Sequence, residues 1–80
     1  MIRVLLFGAA ADRAGTREIE LPVDEGATLQ EIWPMLTEKH PDLAPMGDTL
    51  AFAVNGEYAR GYAGVSPGDE IAVLPPVSGG

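Results

Sequence analysis

The sequence predicts an α+β domain, a mixed sheet covered on one face by one main helix. Three observations carry that prediction. Short runs of branched and aromatic residues open and close the chain, Ile2 to Phe7 and Ile71 to Leu74, as strands do. Only one segment between them, residues 29 to 40, repeats apolar residues at helical spacing. One helix covers one face of a sheet, so the remaining strands form a single mixed layer against it.

Each element has its own signal. "IRVLLF" is short and almost wholly apolar, which suits a well-buried strand. "GAAADRAG" is a small-residue connection with room for one helical turn. In "REIELPV", Arg17, Ile19, Leu21 and Val23 alternate with Glu18 and Glu20, the pattern of a strand with one wet side. Pro22 lacks an amide proton and favours an edge for that strand, or at least an unpaired amide position within it. Asp24-Glu25-Gly26 turns the chain, and Thr28 with Glu31 reads as a capping box. Leu29, Ile32, Trp33 and Leu36 then mark the core face of a helix ending near His40, because Pro41 cannot continue it. Pro34 lies inside that helix at a cost of ~3 kcal/mol. Either the helix kinks there or it starts late with Pro34 at its first position, and one kinked helix over residues 29 to 40 is the favoured reading. "PDLAPMGDTL" reads as a loop, and "LAFAVNGEYA" as a strand entering an Asn55-Gly56 hairpin. Ser66-Pro67-Gly68-Asp69 has Pro and Gly where a type II turn wants them. If the last strand lies beside the first and parallel to it, both are central, and their unbroken apolar runs predict full burial.

Eighty residues make one domain, read as a body over 1–74 and a tail over 75–80. Hydrophobic residues are 46% of the chain, enough for a core without staples. There is no cysteine, hence no disulfide, thiolate metal site or sulfur nucleophile. Twelve acidic residues against five basic ones give a net charge of −7, which repels phosphate backbones and argues against nucleic acid as a partner. No apolar run approaches the roughly 20 residues of a membrane span. Asp12 and Arg13 stand where a leader would be cleaved, so a cytoplasmic location without membrane association is expected.

Candidate sites inside the body are few. His40 has no second His or Cys for a metal and sits at a helix end, where a positive charge suits the dipole. Asp24-Glu25 and Asp69-Glu70 fall in turns and do not form a matched acid and base. Trp33 and Leu36 belong to the core face. The glycines at 61, 64 and 68 lack the strand-glycine-helix order of a phosphate site. No cofactor or metal is expected on this chain. What remains is the terminal "PPVSGG".

Composition alone leaves two readings of that tail open, a terminus without a role and a working arm. Polyproline geometry carries a chain ~3.1 Å per residue, which places the Gly80 carboxylate on the order of 15 Å from the last strand. Two glycines thread a narrow channel, and Val77 is the one apolar anchor on the arm. A carboxylate is a poor electrophile and is ionised at neutral pH. It needs activation, for instance as an acyl-adenylate, by a partner that binds ATP, and any sulfur must come from outside.

The full length resembles the small subunits of molybdopterin synthase, sulfur carriers with the ubiquitin-like β-grasp fold. The likeness rests on "IRVLLFG", a connection closing at Gly15-Thr16, "AVNGEY" and above all "GDEIAVLPPVSGG". The diglycine by itself is shared with ubiquitin-like proteins and the thiazole-synthesis sulfur carrier. The resemblance implies that a ubiquitin-activating-like adenylyltransferase adenylates Gly80, and that a persulfide sulfur donor converts it to a thiocarboxylate. It further implies that the tail enters the synthase large subunit, where the sulfur attacks cyclic pyranopterin monophosphate to build the dithiolene. The chain is then not catalytic alone. Gly80 is implied as the reacting residue and Gly79 as its clearance. Pro75, Pro76, Val77 and Ser78 are implied along the tail's path, with Phe7 and Leu74 on the partner-facing surface unless they are plain core. Pro34 departs from that family's helix. Competing readings are a carrier for thiazole synthesis or RNA thiolation, a protein modifier joined to lysines, and a passive binding module.

Overall fold

The structure, a computed structural model, describes residues 1–46 and 50–74. Strand β1 (Ile2–Leu6) is followed by helix α1 (Ala9–Ala14), β2 (Glu18–Leu21), β3 (Ala27–Thr28) and the main helix α2 (Leu29–Lys39). A 3₁₀ helix (Pro41–Met46), β4 (Ala51–Val54), β5 (Glu57–Ala59), β6 (Gly64–Val65) and β7 (Glu70–Leu74) complete it. Five strands form one sheet in the order β2-β1-β7-β4-β5, and β3 and β6 form a two-stranded ribbon. β1 and β7 are parallel, with Val4 opposite Ile71, and the other pairs are antiparallel. The sheet is mixed, as the sequence predicts, with β2 at an edge.

α2 lies over the sheet because Leu29, Ile32 and Leu36 share one face and are buried against Val4, Leu6, Ile71 and Val73. Three buried side chains at roughly 1.5–3 kcal/mol each outweigh the ~3 kcal/mol cost of an internal proline. The helix therefore runs through Pro34 without a break. Its start corrects the capping-box reading. Thr28 is the N-cap, but its hydroxyl donates to the Glu31 carboxylate at 3.4 Å and caps no backbone amide. The free amides are met from afar. Leu29 N–H donates to the Ala63 carbonyl at 3.1 Å, and Gln30 N–H to that of Gly61 at 2.9 Å. The β3–β6 ribbon, absent from the sequence reading, holds those carbonyls in place through Ala27↔Val65 and Thr28↔Gly64.

Other local expectations meet mixed outcomes. Asn55 and Gly56 join β4 to β5 with φ of 51° and 87°, as a two-residue hairpin demands. Gly68 has φ 93° and Asp69 N–H returns to the Ser66 carbonyl at 3.0 Å, closing the type II turn. The small-residue connection forms a six-residue helix, α1, since Ala10 is fully buried and adds packing to propensity. The first half of the predicted loop at 41–50 is the 3₁₀ helix, fastened by buried Leu43 and Met46. Residues 47–49 of that loop lie outside the described residues.

The largest correction concerns the central strands. β1 and β7 are adjacent, parallel and inside the sheet, yet only alternate residues are buried. Ile2, Val4, Leu6, Ile71 and Val73 meet α2, whereas Arg3 and Glu70 are exposed and Leu5, Ala72 and Leu74 are half-buried. With one covering layer the second face stays open, however apolar its strands.

Candidate functional site

Of the site residues read from the sequence, Pro75, Pro76, Val77, Ser78, Gly79 and Gly80 lie outside the described residues, as does the body–tail division at 75. The structure describes the platform from which they depart. β7 is the middle strand, and its last residue Leu74 pairs with Ala51 of β4. On its other side the parallel register Leu6↔Val73 brings Phe7, just past β1, beside Leu74. Leu74, the last described residue, thus lies between two neighbouring strands at the centre of the sheet.

Phe7 and Leu74 are not core. Phe7 is 45% exposed, and Leu74 lies on the uncovered face because Val73 before it points to α2. Pleat alternation puts Leu5, Ala72, Ala51 and Tyr58 on that same face. Sequence reasoning missed these four. For Leu5 and Ala72 the signal was present in the unbroken apolar runs of β1 and β7, which in a one-helix fold must leave half their side chains uncovered.

The open face is graded along its strands. At the end far from the tail, Arg3 stands between Glu20 and Glu70 in register. Its guanidinium lies 3.9 Å from the Glu70 carboxylate with both side chains half exposed, a pair of small energetic weight. Toward the tail the same strands carry Leu5, Phe7, Ala72 and Leu74. A groove of about 480 Å³ adjoins this apolar end, between Phe7, Gly8, Ala11 and Arg17. An apolar centre beside an acidic margin suits a partner with an apolar patch and a basic rim.

The polar groups elsewhere serve the turns. The Asp69 carboxylate accepts from Ser66 N–H at 2.9 Å and from the Asn55 side-chain amide at 3.1 Å. Asn55 Oδ1 in turn accepts from Glu70 N–H at 3.0 Å. These bonds tie the β4–β5 hairpin to the start of β7, at the end of that strand opposite Leu74. The Ser66 amide first, and the Asn55 amide second, hold the Asp69 carboxyl below its ordinary value of 3.8. His40 is the C-cap of α2, its N–H donating to the Leu36 carbonyl at 2.8 Å. Leu36 is fully buried, and half-buried Trp33 packs edge-on to Phe52 with centroids 5.7 Å apart. No group of three or more His, Asp or Glu side chains is gathered among the described residues.

The family model described as the ThiS family matches residues 4–80. The chain belongs to the ThiS family. This ThiS-family chain is 35% identical over 82 residues to the human molybdopterin synthase sulfur carrier subunit, covering 99% of this chain and 93% of that protein. Among solved structures it is similar to small archaeal modifier protein 1 of Haloferax volcanii, with a TM-score of 0.87, 31% identity, and 95% and 97% of the two chains covered. It also resembles a chain in the complex of subunits 1 and 2 of molybdopterin-converting factor from Helicobacter pylori. There the TM-score is 0.70 and the identity 26%, over 99% and 97% of the chains. The ubiquitin-like α+β fold and the kinship with molybdopterin synthase sulfur carriers stand together. Among the described residues no helix is long and apolar enough to cross a membrane.

Proposed function

We propose that this protein is the sulfur-carrying small subunit of a molybdopterin synthase, acting through Gly80 as the end of the chain. The observation that carries the reading is the position of Leu74, the residue before "PPVSGG" in the sequence, on the central strand at the apolar end of an open sheet face. Full-length kinship to the human sulfur carrier subunit selects the pathway. The likeness to a chain in the Helicobacter pylori complex supports the synthase large subunit as the occupant of that face.

In this reading a separate adenylyltransferase binds ATP, and the Gly80 carboxylate attacks the α-phosphate with loss of pyrophosphate. The terminal sulfur of a persulfide donor then attacks the acyl carbon and AMP leaves. A further thiol cleaves the acyl disulfide, releasing the thiocarboxylate. Inside the large subunit that sulfur attacks cyclic pyranopterin monophosphate. The chain itself contributes reach and fit. Gly79 keeps the last step narrow, Pro75, Pro76, Val77 and Ser78 line the path, and Phe7 and Leu74 seat the partner. It binds no cofactor or metal of its own, and it works in the cytoplasm with its soluble partners.

The test is mass spectrometry of the intact protein incubated with an activating enzyme, ATP and a sulfur source. Replacement of one oxygen by sulfur at Gly80 is the expected result. Deleting Gly80 is expected to abolish the transfer and leave the melting temperature within error. A carboxylate unmodified under those conditions would overturn the proposal. A second reading, a protein modifier, draws on the likeness to small archaeal modifier protein 1. Diglycine remnants on lysines of other proteins would favour it.

A further inference from the structure

Asn55 is the only asparagine in the chain, and it precedes Gly56 in the exposed turn between β4 and β5. An asparagine followed by glycine is prone to lose its amide, because no side chain shields the glycine nitrogen from the neighbouring carboxamide. Here that carboxamide is engaged at both ends. Nδ2 donates to Asp69 Oδ1 at 3.1 Å, and Oδ1 accepts from Glu70 N–H at 3.0 Å. The Asn55 N–H also donates to the Glu70 carbonyl at 2.8 Å. The side-chain oxygen thus continues the β4–β7 ladder one step past Val54↔Ile71, where the backbone has turned away into the hairpin.

Those bonds oppose a particular reaction. In deamidation the Gly56 nitrogen gives up its proton and attacks Asn55 Cγ. The Cγ–Nδ2 bond breaks, ammonia leaves with the proton, and a cyclic succinimide remains. Water then opens the ring at Cγ to give aspartate. Attack at the main-chain carbonyl of residue 55 instead gives isoaspartate, in which the chain runs through Cγ. Departure of Nδ2 breaks the bond to Asp69, and turning the carboxamide toward Gly56 breaks the one from Glu70 N–H. The reaction therefore waits for the hairpin to open locally from β7.

The products do not fit the place they leave. An aspartate there has no proton to donate at neutral pH, and it sets a carboxylate against that of Asp69 in a chain already at −7. Isoaspartate lengthens the backbone by a methylene in a turn whose residues sit at φ 51° and 87°. We propose that Asn55 is a one-way modification site, guarded by its bonds to Asp69 and Glu70 while the fold is closed, and that deamidation leaves the hairpin unable to clasp β7 again. A chain that spends time open is thereby marked, and a marked chain opens more readily. The site lies at the end of β7 opposite Leu74, so the proposal stands apart from the role of the tail.

The test follows residue 55 by peptide mapping and mass spectrometry after incubation of the full-length protein at mildly alkaline pH. Folded wild type is compared with Asp69→Ala and with wild type unfolded in urea, and circular dichroism checks the fold of each. Asp69→Ala is expected to form aspartate and isoaspartate about ten- to a hundredfold faster than folded wild type, the gain in open population when a hydrogen bond to a charged group is lost. The unfolded chain is expected to be the fastest. If Asp69→Ala does not fold, Asp69→Asn is read in its place, since it keeps the bulk and loses the charge. A folded variant that deamidates at the wild-type rate overturns the guard, as does folded wild type that deamidates as fast as the unfolded chain. Asn55→Asp, made directly, is expected to melt below wild type. A melting temperature equal to wild type would overturn the claim that the product cannot restore the clasp.

Discussion

Asp69 shows how one side chain holds two turns in place. It satisfies the Ser66 amide of its own turn and fixes Asn55, whose φ of 51° is uncommon for a residue with a side chain. Both bonds favour the ionised form, so the folded protein holds this carboxyl below 3.8 while the unfolded chain does not. The stabilisation is complete above 3.8 and is lost as pH falls through the lower, folded value. Asp69→Ala is expected to melt below wild type at neutral pH, with the gap closing in acid beneath 3.8. A gap independent of pH in thermal melts would show that charge plays no part. These partners are fourteen residues apart in sequence, so only the Ser66–Asp69 turn was legible there, not the clasp.

At the scale of elements, α2 is the point where local and tertiary preferences meet. Pro34 removes the amide that would bond the Gln30 carbonyl, yet its side chain is exposed and contributes no core contact. Pro34→Ala is expected to stabilise the protein by about 1–3 kcal/mol, read as a higher midpoint in urea. An unchanged midpoint would mean that the carbonyl is already satisfied in another way. The helix itself was legible from Leu29, Ile32 and Leu36, and its stop from Pro41. Its cap was not. The Gly61 and Ala63 carbonyls arrive from some thirty residues away, held by a ribbon of two-residue strands too short to leave a periodic signal.

For the whole molecule, the decisive feature is that one helix covers one face. Side chains of similar character in β1 and β7 then have opposite roles. Leu36, fully buried against the covered face, is expected to cost 2–5 kcal/mol when cut to alanine, a large share of the roughly 4–12 kcal/mol an eighty-residue domain holds. Phe7→Ser and Leu74→Ser lie on the open face and are expected to leave the melting temperature nearly unchanged. Each should weaken binding to a large subunit at least about tenfold in titration calorimetry, as central apolar anchors do. Wild-type affinity in both variants would remove the open face from the proposed interface. Net charge of −7 further predicts that such binding weakens with salt if the partner's rim is basic.

The sequence by itself determined the main strands, the main helix, the two turns and the tail as the place to look for function. These rest on period, turn chemistry and glycine and proline placement, which are local. Tertiary structure decided the parallel pairing of the first and last strands, which half of each is buried, what caps α2, and where Leu74 sits relative to Phe7 and Ala51. Those depend on how many layers cover the sheet and on pairings between distant residues, and no local pattern encodes either.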